Sequence, residues 1–282
     1  MHSHWPGTLA VSAGAIGWGL WALFLRGSGL PPAWQSILIL AVVALVWGGP
    51  ALAGGGRPIA GPRPLRSWAD LALLGLADAG NYILFFAAVD RGPIGLAVLT
   101  HYLAPVLVAG AAPALLAEPL KQRTIPAAVV ALVGLGLLLS GSASSGPALT
   151  TALLGGGSAV FYAANTLVSK RALRSFSSAE ILSYHCALSA LLLLPFAGPV
   201  PPLAAFVGRP LVGAVILGAG GAALFYAGLR RITAQRAAVL TYLEPLVASL
   251  VSVLAFGEKL GPLAFVGGAL VLASGAAVAL ED

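Results

Sequence analysis

Long segments without charge constrain the fold of this chain most strongly. Residues 124–169 contain no charged side chain, and the same is true of 1–25, 27–56, 92–117, 181–208 and 260–280. Each segment supplies the ~20 apolar residues that a helix needs to cross a bilayer. Charged residues make up 9% of the chain, against roughly 25% in soluble domains. The chain is therefore predicted to be embedded in a membrane.

The pattern predicts an all-α integral membrane fold with ten transmembrane helices. Transmembrane strands would show a regular apolar–polar alternation, which this sequence lacks. The expected spans are 8–26, 33–53, 68–90, 94–116, 124–141, 149–171, 179–198, 208–229, 236–256 and 261–280. Short connections rich in Gly, Pro and Ser join them, for example 54–58 and 142–147. We expect no soluble domain and, because residues 1–25 lack Lys and Arg, no cleaved signal peptide.

Two segments resemble each other at a spacing of 140 residues. Residues 97–105 read AVLTHYLAP, and residues 237–245 read AAVLTYLEP. The same offset aligns further pairs, namely Phe85 with Phe225, Arg91 with Arg231, Glu118 with Glu258 and Leu120 with Leu260. The chain is therefore expected to consist of two five-helix repeats, residues 1–146 and 147–282, within one membrane domain. Chance alignment of two apolar sequences is the alternative.

Five spans per repeat imply that the second repeat enters the membrane from the opposite side, as an inverted repeat. With the N-terminus inside, the inner loops hold Arg57, Arg63, Arg66, Lys121, Arg123, Lys170, Arg171, Arg174, Arg230, Arg231 and Arg236. The outer side holds Arg26, Arg91, Arg209 and Lys259. This positive-inside bias predicts that both termini are cytoplasmic. It also accounts for the net charge of +6 without a nucleic-acid partner.

Several short motifs accompany the repeat. They are a Trp18-Gly19 pair in span one, Leu243-Glu244-Pro245 in span nine, and the turn from Gly257 to Leu260. With the five-plus-five arrangement, they make the chain resemble the drug/metabolite transporter (DMT) superfamily, in particular its EamA-type ten-helix carriers. It looks most similar to YddG-type exporters of aromatic and other neutral amino acids. One departure is Ala104, which stands where the second repeat has Glu244.

The resemblance implies a secondary transporter that exports small neutral metabolites, amino acids including aromatic ones among them, across the cell inner membrane. The inverted repeat predicts alternating access around a site at mid-depth. We expect a small-molecule substrate, a lipid bilayer as surroundings, and action as a monomer. No nucleotide-binding or His-Glu-x-x-His zinc motif is present, so we expect no cofactor, no metal site and no catalytic residues.

Span three presents Asp78 near its middle, and Tyr82 lies on the same helical face four residues later. A charge at this depth normally faces the bundle interior or water. Both residues are therefore predicted to bind substrate, with simple packing as the alternative. Asn81 and Phe85 lie beside them.

Span four carries His101 slightly outward of its middle, and Pro105 follows one turn later. Proline removes a backbone donor and kinks a helix, and Pro245 occupies the equivalent place in span nine. The two bent spans are expected to flank the pathway, with His101 in the substrate site; a histidine that is hydrogen-bonded to a neighbouring helix is the alternative. Glu244 either stabilises the kinked helix as a structural residue, or binds a substrate ammonium or carries a proton.

Span one places Trp18 near the midplane, where its indole N–H requires a partner. The repeat partners of Trp18 and Trp21 are roughly Tyr162 and Asn165. Aromatic rings suit an apolar side chain and can hold an ammonium group, so we predict that Trp18, Tyr162 and Asn165 line the substrate site. Cys186 is expected only to pack.

Other functions and sites remain as alternatives, the first being a carrier or facilitator for another metabolite or drug. Tyr184 and His185 are candidates for a cytoplasmic mouth. Residues 155–158, Gly-Gly-Gly-Ser, faintly resemble an intramembrane serine protease, although the last glycine of a nucleophile elbow is missing. Replacing Ser158 would then discriminate an enzyme from a transporter. A channel is the third possibility, and a saturable flux with counterflow would exclude it.

Overall fold

The computed structural model describes residues 4–53, 63–140 and 147–281, and every regular element in these ranges is helical. The α-helices are α1 (Trp5–Gly19), α2 (Trp21–Leu25), α3 (Pro32–Leu52), α4 (Leu65–Arg91), α5 (Ile94–His101), α6 (Ala104–Leu116), α7 (Thr124–Leu138), α8 (Ala148–Ala172), α9 (Ser178–Leu193), α10 (Leu203–Phe206), α11 (Arg209–Gly213), α12 (Gly221–Leu229), α13 (Ala234–Leu240), α14 (Leu243–Phe256) and α15 (Pro262–Ala279). A short 3₁₀ turn, Leu194–Phe196, follows α9, and a π-helical segment, Ala214–Gly220, joins α11 to α12.

Nine helical stretches in the described residues are long and apolar enough to cross a membrane. They agree with nine of the ten predicted spans to within about five residues. The tenth prediction, 124–141, corresponds to α7, whose 15 residues fall short of that length. Residues 54–58 with Arg57, residue 141 and the junction at 142–146 lie outside the described ranges.

The surface of the bundle is apolar. Leu52 and Leu254 are each 84% exposed and Phe265 is 70% exposed. Thr151 and Ser158, in contrast, are fully buried. This arrangement is the reverse of a water-soluble protein's and suits a bundle whose outer surface faces lipid.

Four helix contacts organise the bundle. Helix α4 packs along α8, and α1 packs along α12. Helix α3 packs along α9, and α7 packs along α15. Each contact therefore joins one helix from the first half of the chain to one from the second.

Glycines allow two of these contacts to be backbone-to-backbone. A Cβ on Gly228 of α12 would lie 2.5 Å from the Gly7 carbonyl oxygen of α1. A Cβ on Gly134 of α7 would lie 2.7 Å from the Gly267 carbonyl oxygen of α15. Small residues permit this close approach, which stabilises helix association in lipid.

We expect Gly267→Ala to destabilise the fold. The added Cβ would collide with the Gly134 carbonyl, and overpacking of this kind costs about 1–3 kcal/mol. The apparent melting temperature of the detergent-solubilised protein should fall. Gly275→Ala, on the same helix where a Cβ meets nothing within 4 Å, is the matched control. An equal shift in both variants would contradict the close contact as the cause.

Both ends of the described chain meet at one face of the bundle, which we call the terminal face. His4 Nε2 donates to the Ala279 carbonyl at 3.2 Å. The Arg123 amide donates to Glu281 Oε1 at 3.0 Å, which places the start of α7 at the same face. The opposite face, which we call the distal face, carries an ion pair between Arg26 and Glu258.

The spans 94–116 and 234–256 are each broken in the middle, in addition to the interruption of the first span between α1 and α2. Helix α5 ends at His101 and α6 begins at Ala104, with Pro105 in its first turn. Helix α13 ends at Leu240 and α14 begins at Leu243, with Pro245 in its first turn. The sequence predicted kinks, and the structure shows breaks instead. A first-turn proline lacks only an N–H that has no intrahelical acceptor, so it starts a new helix at no loss.

Candidate functional site

A cavity of about 440 Å³ lies at the level of the two breaks, within the size range of roughly 300–1,000 Å³ that is usual for small-molecule sites. Its walls come from both halves of the chain, with contributions from α1 to α5, α8, α9, the π-helical segment, α12 and α14. Most of the predicted site residues line it, namely Trp18, Asp78, Tyr82, His101, Tyr162, Asn165, Glu244 and Pro245. Pro105 is buried and is not among the residues that line the cavity.

The polar wall is built around Asp78, which lies halfway along α4. Asn165 Nδ2 donates to Asp78 Oδ1 at 2.5 Å. The second carboxylate oxygen, Oδ2, accepts from Ser189 at 3.4 Å and lies 3.2 Å from His185 Nε2. Three helices, α4, α8 and α9, therefore meet at one carboxylate, whose side chain remains 16% exposed to the cavity.

A chain of hydrogen bonds fixes the orientation of this carboxylate. Ser169 Oγ donates to Asn165 Oδ1 at 3.5 Å, so the Tyr226 hydroxyl donates to Ser169 Oγ at 2.7 Å. Asn165 then uses its amide group on Asp78. A network whose members are all paired holds its groups in one arrangement.

Aromatic rings form the remaining walls. Trp18 packs against Phe225 with ring centroids 5.3 Å apart. His101 stacks on Tyr162 at 5.0 Å with an interplanar angle of 6°, and Phe85 lies 4.7 Å from His101. The cavity thus combines a polar wall with apolar and aromatic ones.

The π-helical segment explains the partner of Trp18. Trp18 Nε1 donates to the Leu217 carbonyl, and Trp47 Nε1 donates to the Ala219 carbonyl, both at 3.1 Å. A π-helix departs from the regular i→i−4 bonding and is frequent at functional sites. The two indoles donate to carbonyls of this segment, and Gly221 at the start of α12 leaves room for Trp18, because a Cβ there would lie 2.9 Å from Trp18 Nε1.

His101 is oriented by a buried serine. Ser158 Oγ donates to the Gly155 carbonyl at 2.8 Å, so His101 Nδ1–H donates to Ser158 Oγ at 2.9 Å. Ser158 is fully buried and does not line the cavity. Its geometry is that of a structural hydroxyl, because its proton is directed at a carbonyl and away from the histidine.

We expect Ser158→Ala to retain transport. The substitution removes one neutral hydrogen bond to His101, whose net worth is about 0.5–1.5 kcal/mol. Flux should therefore fall less than about tenfold, as measured in proteoliposomes. Serine-dependent hydrolysis would vanish completely in the same variant, so an abolished activity would contradict a structural role.

Glu244 occupies the first turn of α14, where the positive end of the helix dipole favours a carboxylate. The Tyr102 hydroxyl donates to Glu244. In return, the Tyr242 hydroxyl donates to the Tyr102 carbonyl at 2.8 Å. Tyr102 and Tyr242 are equivalent positions of the two repeated segments. Each tyrosine therefore connects the break in its own half to the break in the other.

His185 and Cys186 line the cavity, although the sequence did not predict this for either residue. His185 was expected at a mouth, but it is 4% exposed, lines the cavity and contacts Asp78. Tyr184 points elsewhere and packs near Trp68. Cys186 also lines the cavity. The adjacent His-Cys pair in a charge-free span was the available signal.

Asn81 presents an acceptor without a partner. Among the described residues, its Oδ1 atom is buried and has no hydrogen-bond donor, although the side chain lines the cavity close to Asp78. Buried polar atoms are normally paired. A donor group on a bound molecule would satisfy this atom if it reached it.

The fold is that of a multi-pass membrane protein with an internal cavity. The family model of the EamA-like transporter family matches residues 5–140 and again residues 149–280. The chain belongs to the EamA-like transporter family, of the drug/metabolite transporter superfamily. Its relatives are transporters, and it is a multi-pass membrane protein of that kind.

Two curated relatives carry the same general description. An "Uncharacterized transporter" of Archaeoglobus fulgidus is 32% identical over 75% of this chain and 75% of its own length. The "Uncharacterized transporter YwfM" of Bacillus subtilis is 29% identical over 73% of this chain and 71% of its own length. A solved structure described as "Crystal structure of protein" superposes with a TM-score of 0.79 at 24% identity, covering 98% of this chain and 99% of that one. This last likeness concerns the fold.

Proposed function

We propose that the chain is a secondary carrier that exports small neutral amino acids, aromatic ones included, across the cell inner membrane by alternating access. The observation that supports this proposal most is the cavity, whose walls come from both halves of the chain. It offers a carboxylate and an unpartnered amide oxygen beside aromatic side chains. Asp78 and Asn81 would receive the substrate ammonium group, and Trp18, Tyr82, His101 and Tyr162 would surround its side chain. Asn165 positions Asp78 for this contact.

The charge of the cavity supports a substrate with an ammonium group. Among the described lining residues there is no Lys or Arg, whereas a phosphate or simple carboxylate substrate would favour several. Aromatic faces also attract an ammonium. The proposal therefore includes the substrate range of YddG-type exporters, which is aromatic and other neutral amino acids.

The five-plus-five inverted repeat, with halves 1–146 and 147–282, is supported by reciprocal contacts. The α4–α8 contact joins the third span of one half to the first of the other, and the α1–α12 contact does the same in reverse. The same family model matches each half separately. Both walls of the cavity come from one chain, so we propose a monomer.

Alternating access is supported by two ion pairs in equivalent places. At the terminal face, Lys170 Nζ lies 3.9 Å from Glu118 Oε1, one turn beyond the lining Thr166. At the distal face, Arg26 bonds to Glu258 at 2.9 Å, one turn beyond the lining Ala22. An offset of 144 relates Ala22 and Arg26 to Thr166 and Lys170, and an offset of 140 relates the glutamates. We propose that these pairs act as the two gates.

The terminal-face gate is the more strongly closed of the two. Its side chains are only 18% and 11% exposed, against 53% and 50% in the distal pair. Glu118 also accepts from the Ala234 amide at 2.8 Å and so caps α13. The positive-inside bias makes the terminal face cytoplasmic. Glu244 has a structural role in this scheme, because it holds the two breaks together.

Uptake and counterflow in proteoliposomes test the substrate class and the mechanism together. A panel of radiolabelled amino acids should show saturable uptake and counterflow for aromatic and other neutral members. The deamino analogue of each, with the same side chain and no ammonium, is the matched control and should compete poorly. Non-saturable flux would indicate a channel, and equal competition by the deamino analogues would contradict the role given to Asp78.

We expect acidification of the terminal face to favour closure of its gate. Burial raises the pKa of the Glu118 carboxyl above its ordinary value of 4.5. If opening exposes this group, its pKa returns toward the ordinary value. The closed state then binds the proton more tightly, so closure is favoured at low pH and this contribution is lost as pH rises through the raised pKa.

The measurement uses the Thr166→Cys substitution in a Cys186→Ser background. The rate at which a membrane-impermeant maleimide labels this cysteine from the terminal face should decrease at lower pH. The decrease should exceed the one that protonation of the thiol causes by itself. Glu118→Gln supplies the reference, because it labels with the thiol's own pH dependence. Identical pH profiles in the two proteins would rule out this effect of Glu118.

A further inference from the structure

Three potential metal ligands of different chemistry converge on the cavity wall. The ligand atoms of Asp78, His185 and Cys186 all lie within 4.8 Å of one another. His185 Nε2 is 3.2 Å from Asp78 Oδ2 and 3.4 Å from Cys186 Sγ. We propose that these three side chains form a binding site for a borderline-soft divalent cation such as Zn²⁺, with the fourth coordination position open to the cavity.

Two of the three separations fit tetrahedral coordination. Zn²⁺ binds oxygen, nitrogen and sulfur donors at about 2.0–2.3 Å, so two donors on one tetrahedral ion lie roughly 3.3–3.6 Å apart. The two separations from His185 Nε2 are within about 0.2 Å of those expectations. The ligand atoms of Asp78 and Cys186 lie within 4.8 Å of each other, so these two side chains must approach by up to about 1 Å for the site to close around one ion.

Neighbouring groups already hold the ligands in position. His185 Nδ1 donates to the Ile181 carbonyl one turn earlier, which leaves Nε2 directed at the other two ligands. Asn165 holds Asp78 Oδ1, which leaves Oδ2 for a cation. A backbone carbonyl behind a histidine and a hydrogen-bonded carboxylate are the usual outer partners of metal ligands.

The charge balance also suits a divalent cation. A carboxylate, a thiolate and a neutral imidazole together neutralise two positive charges, and the thiol proton is released to water as the metal binds. The described lining of the cavity contains no Lys or Arg that would repel a cation. Cys and His together favour Zn²⁺ and similar ions over Mg²⁺ or Ca²⁺.

Occupation of this site would affect transport. Asp78 is also the group to which we assign the substrate ammonium, so cation and substrate would compete for it. This consequence rests on the proposed function, whereas the site itself does not. Zn²⁺ is therefore expected to inhibit amino-acid counterflow in the wild-type protein and not in a Cys186→Ser variant that still transports.

Titration of the purified full-length protein with Cd²⁺ tests the site directly. Cys186 is the only cysteine in the sequence, so any ultraviolet cadmium–thiolate charge-transfer band must come from it. We expect a saturable band at one cation per chain that disappears in Cys186→Ser. The apparent affinity should fall at least tenfold in His185→Gln and in Asp78→Asn. His101→Ala removes the other cavity histidine and should leave the titration unchanged.

Two results would overturn the site. The first is no saturable band in wild-type protein that elutes as a single species on size exclusion. The second is an unchanged affinity in His185→Gln and Asp78→Asn, which would mean that the thiol binds cadmium alone. Because no substrate is present, these results are independent of transport. Inhibition by Zn²⁺ that persists in Cys186→Ser would contradict the competition.

Discussion

Asp78→Asn is expected to lower the affinity for amino-acid substrates about 10- to 150-fold, since a hydrogen bond to a charged group is worth about 1.5–3 kcal/mol. Asparagine has nearly the same shape, so the bundle should still assemble. The loss should appear as a raised KM for uptake, because the contact binds the substrate ammonium in the resting state.

A double comparison isolates this contact from general damage to the cavity. Binding of the deamino analogue should be the same in wild type and Asp78→Asn, because the analogue has no ammonium to lose. Asp70→Asn is the matched protein control. Asp70 is a buried aspartate on the same helix that bonds to Arg171 at 2.6 Å and does not line the cavity. Its replacement should lower stability and leave KM unchanged.

A parallel loss of affinity for the amino acid and its deamino analogue would contradict an ammonium contact. It would assign to Asp78 a role in holding Asn165 and His185 in place. A raised KM in Asp70→Asn would likewise point to a general effect of lost helix packing.

Hydropathy predicted most of the fold because a span depends on local composition. The apolar segments at 94–116 and 236–256, for instance, became the two broken spans that border the cavity. Their prolines marked the places of the breaks. Asp78 and Trp18 were predicted to lie in the site because of their depth in their spans, and both line the cavity.

Contacts between distant helices could not be predicted in this way. His185 lies only seven residues into α9, so its distance from the helix end suggested a mouth. Its partner Asp78 is 107 positions earlier, and their proximity depends on how α4 and α9 pack. The π-helical segment is a second example, because Trp18 and Trp47 satisfy its carbonyls from two other helices.

The two proposed gates show a third limit. The 140-residue offset paired Glu118 with Glu258, but the basic partners of these glutamates obey an offset of 144. The aromatic residues of the first span were already aligned at 144, so the equivalence of Arg26 and Lys170 could have been found in the sequence. That each of these basic residues pairs with a glutamate is visible only in the structure.

Lys170→Met should shift the resting population strongly toward the state open at the terminal face. Lys170 Nζ donates to the carbonyls of Leu229 and Ile232 at 2.5 and 2.7 Å, besides its pairing with Glu118. A cation at the carboxyl end of α12 is favourable. Its removal leaves Glu118 without this countercharge. The loss of charged hydrogen bonds amounts to about 3 kcal/mol, which shifts the equilibrium between the closed and the open state roughly 150-fold.

The pseudo-symmetric Arg26→Met is the matched control, since an exposed ion pair contributes only about 0–1 kcal/mol. Maleimide labelling of a cysteine at position 166 from the terminal face should rise sharply in Lys170→Met and change less than about fivefold in Arg26→Met. Equal changes would mean that burial does not set the strength of the gates. Unchanged labelling in Lys170→Met would remove this lysine from gating altogether, because the shift follows from bonds that break only when the terminal face opens.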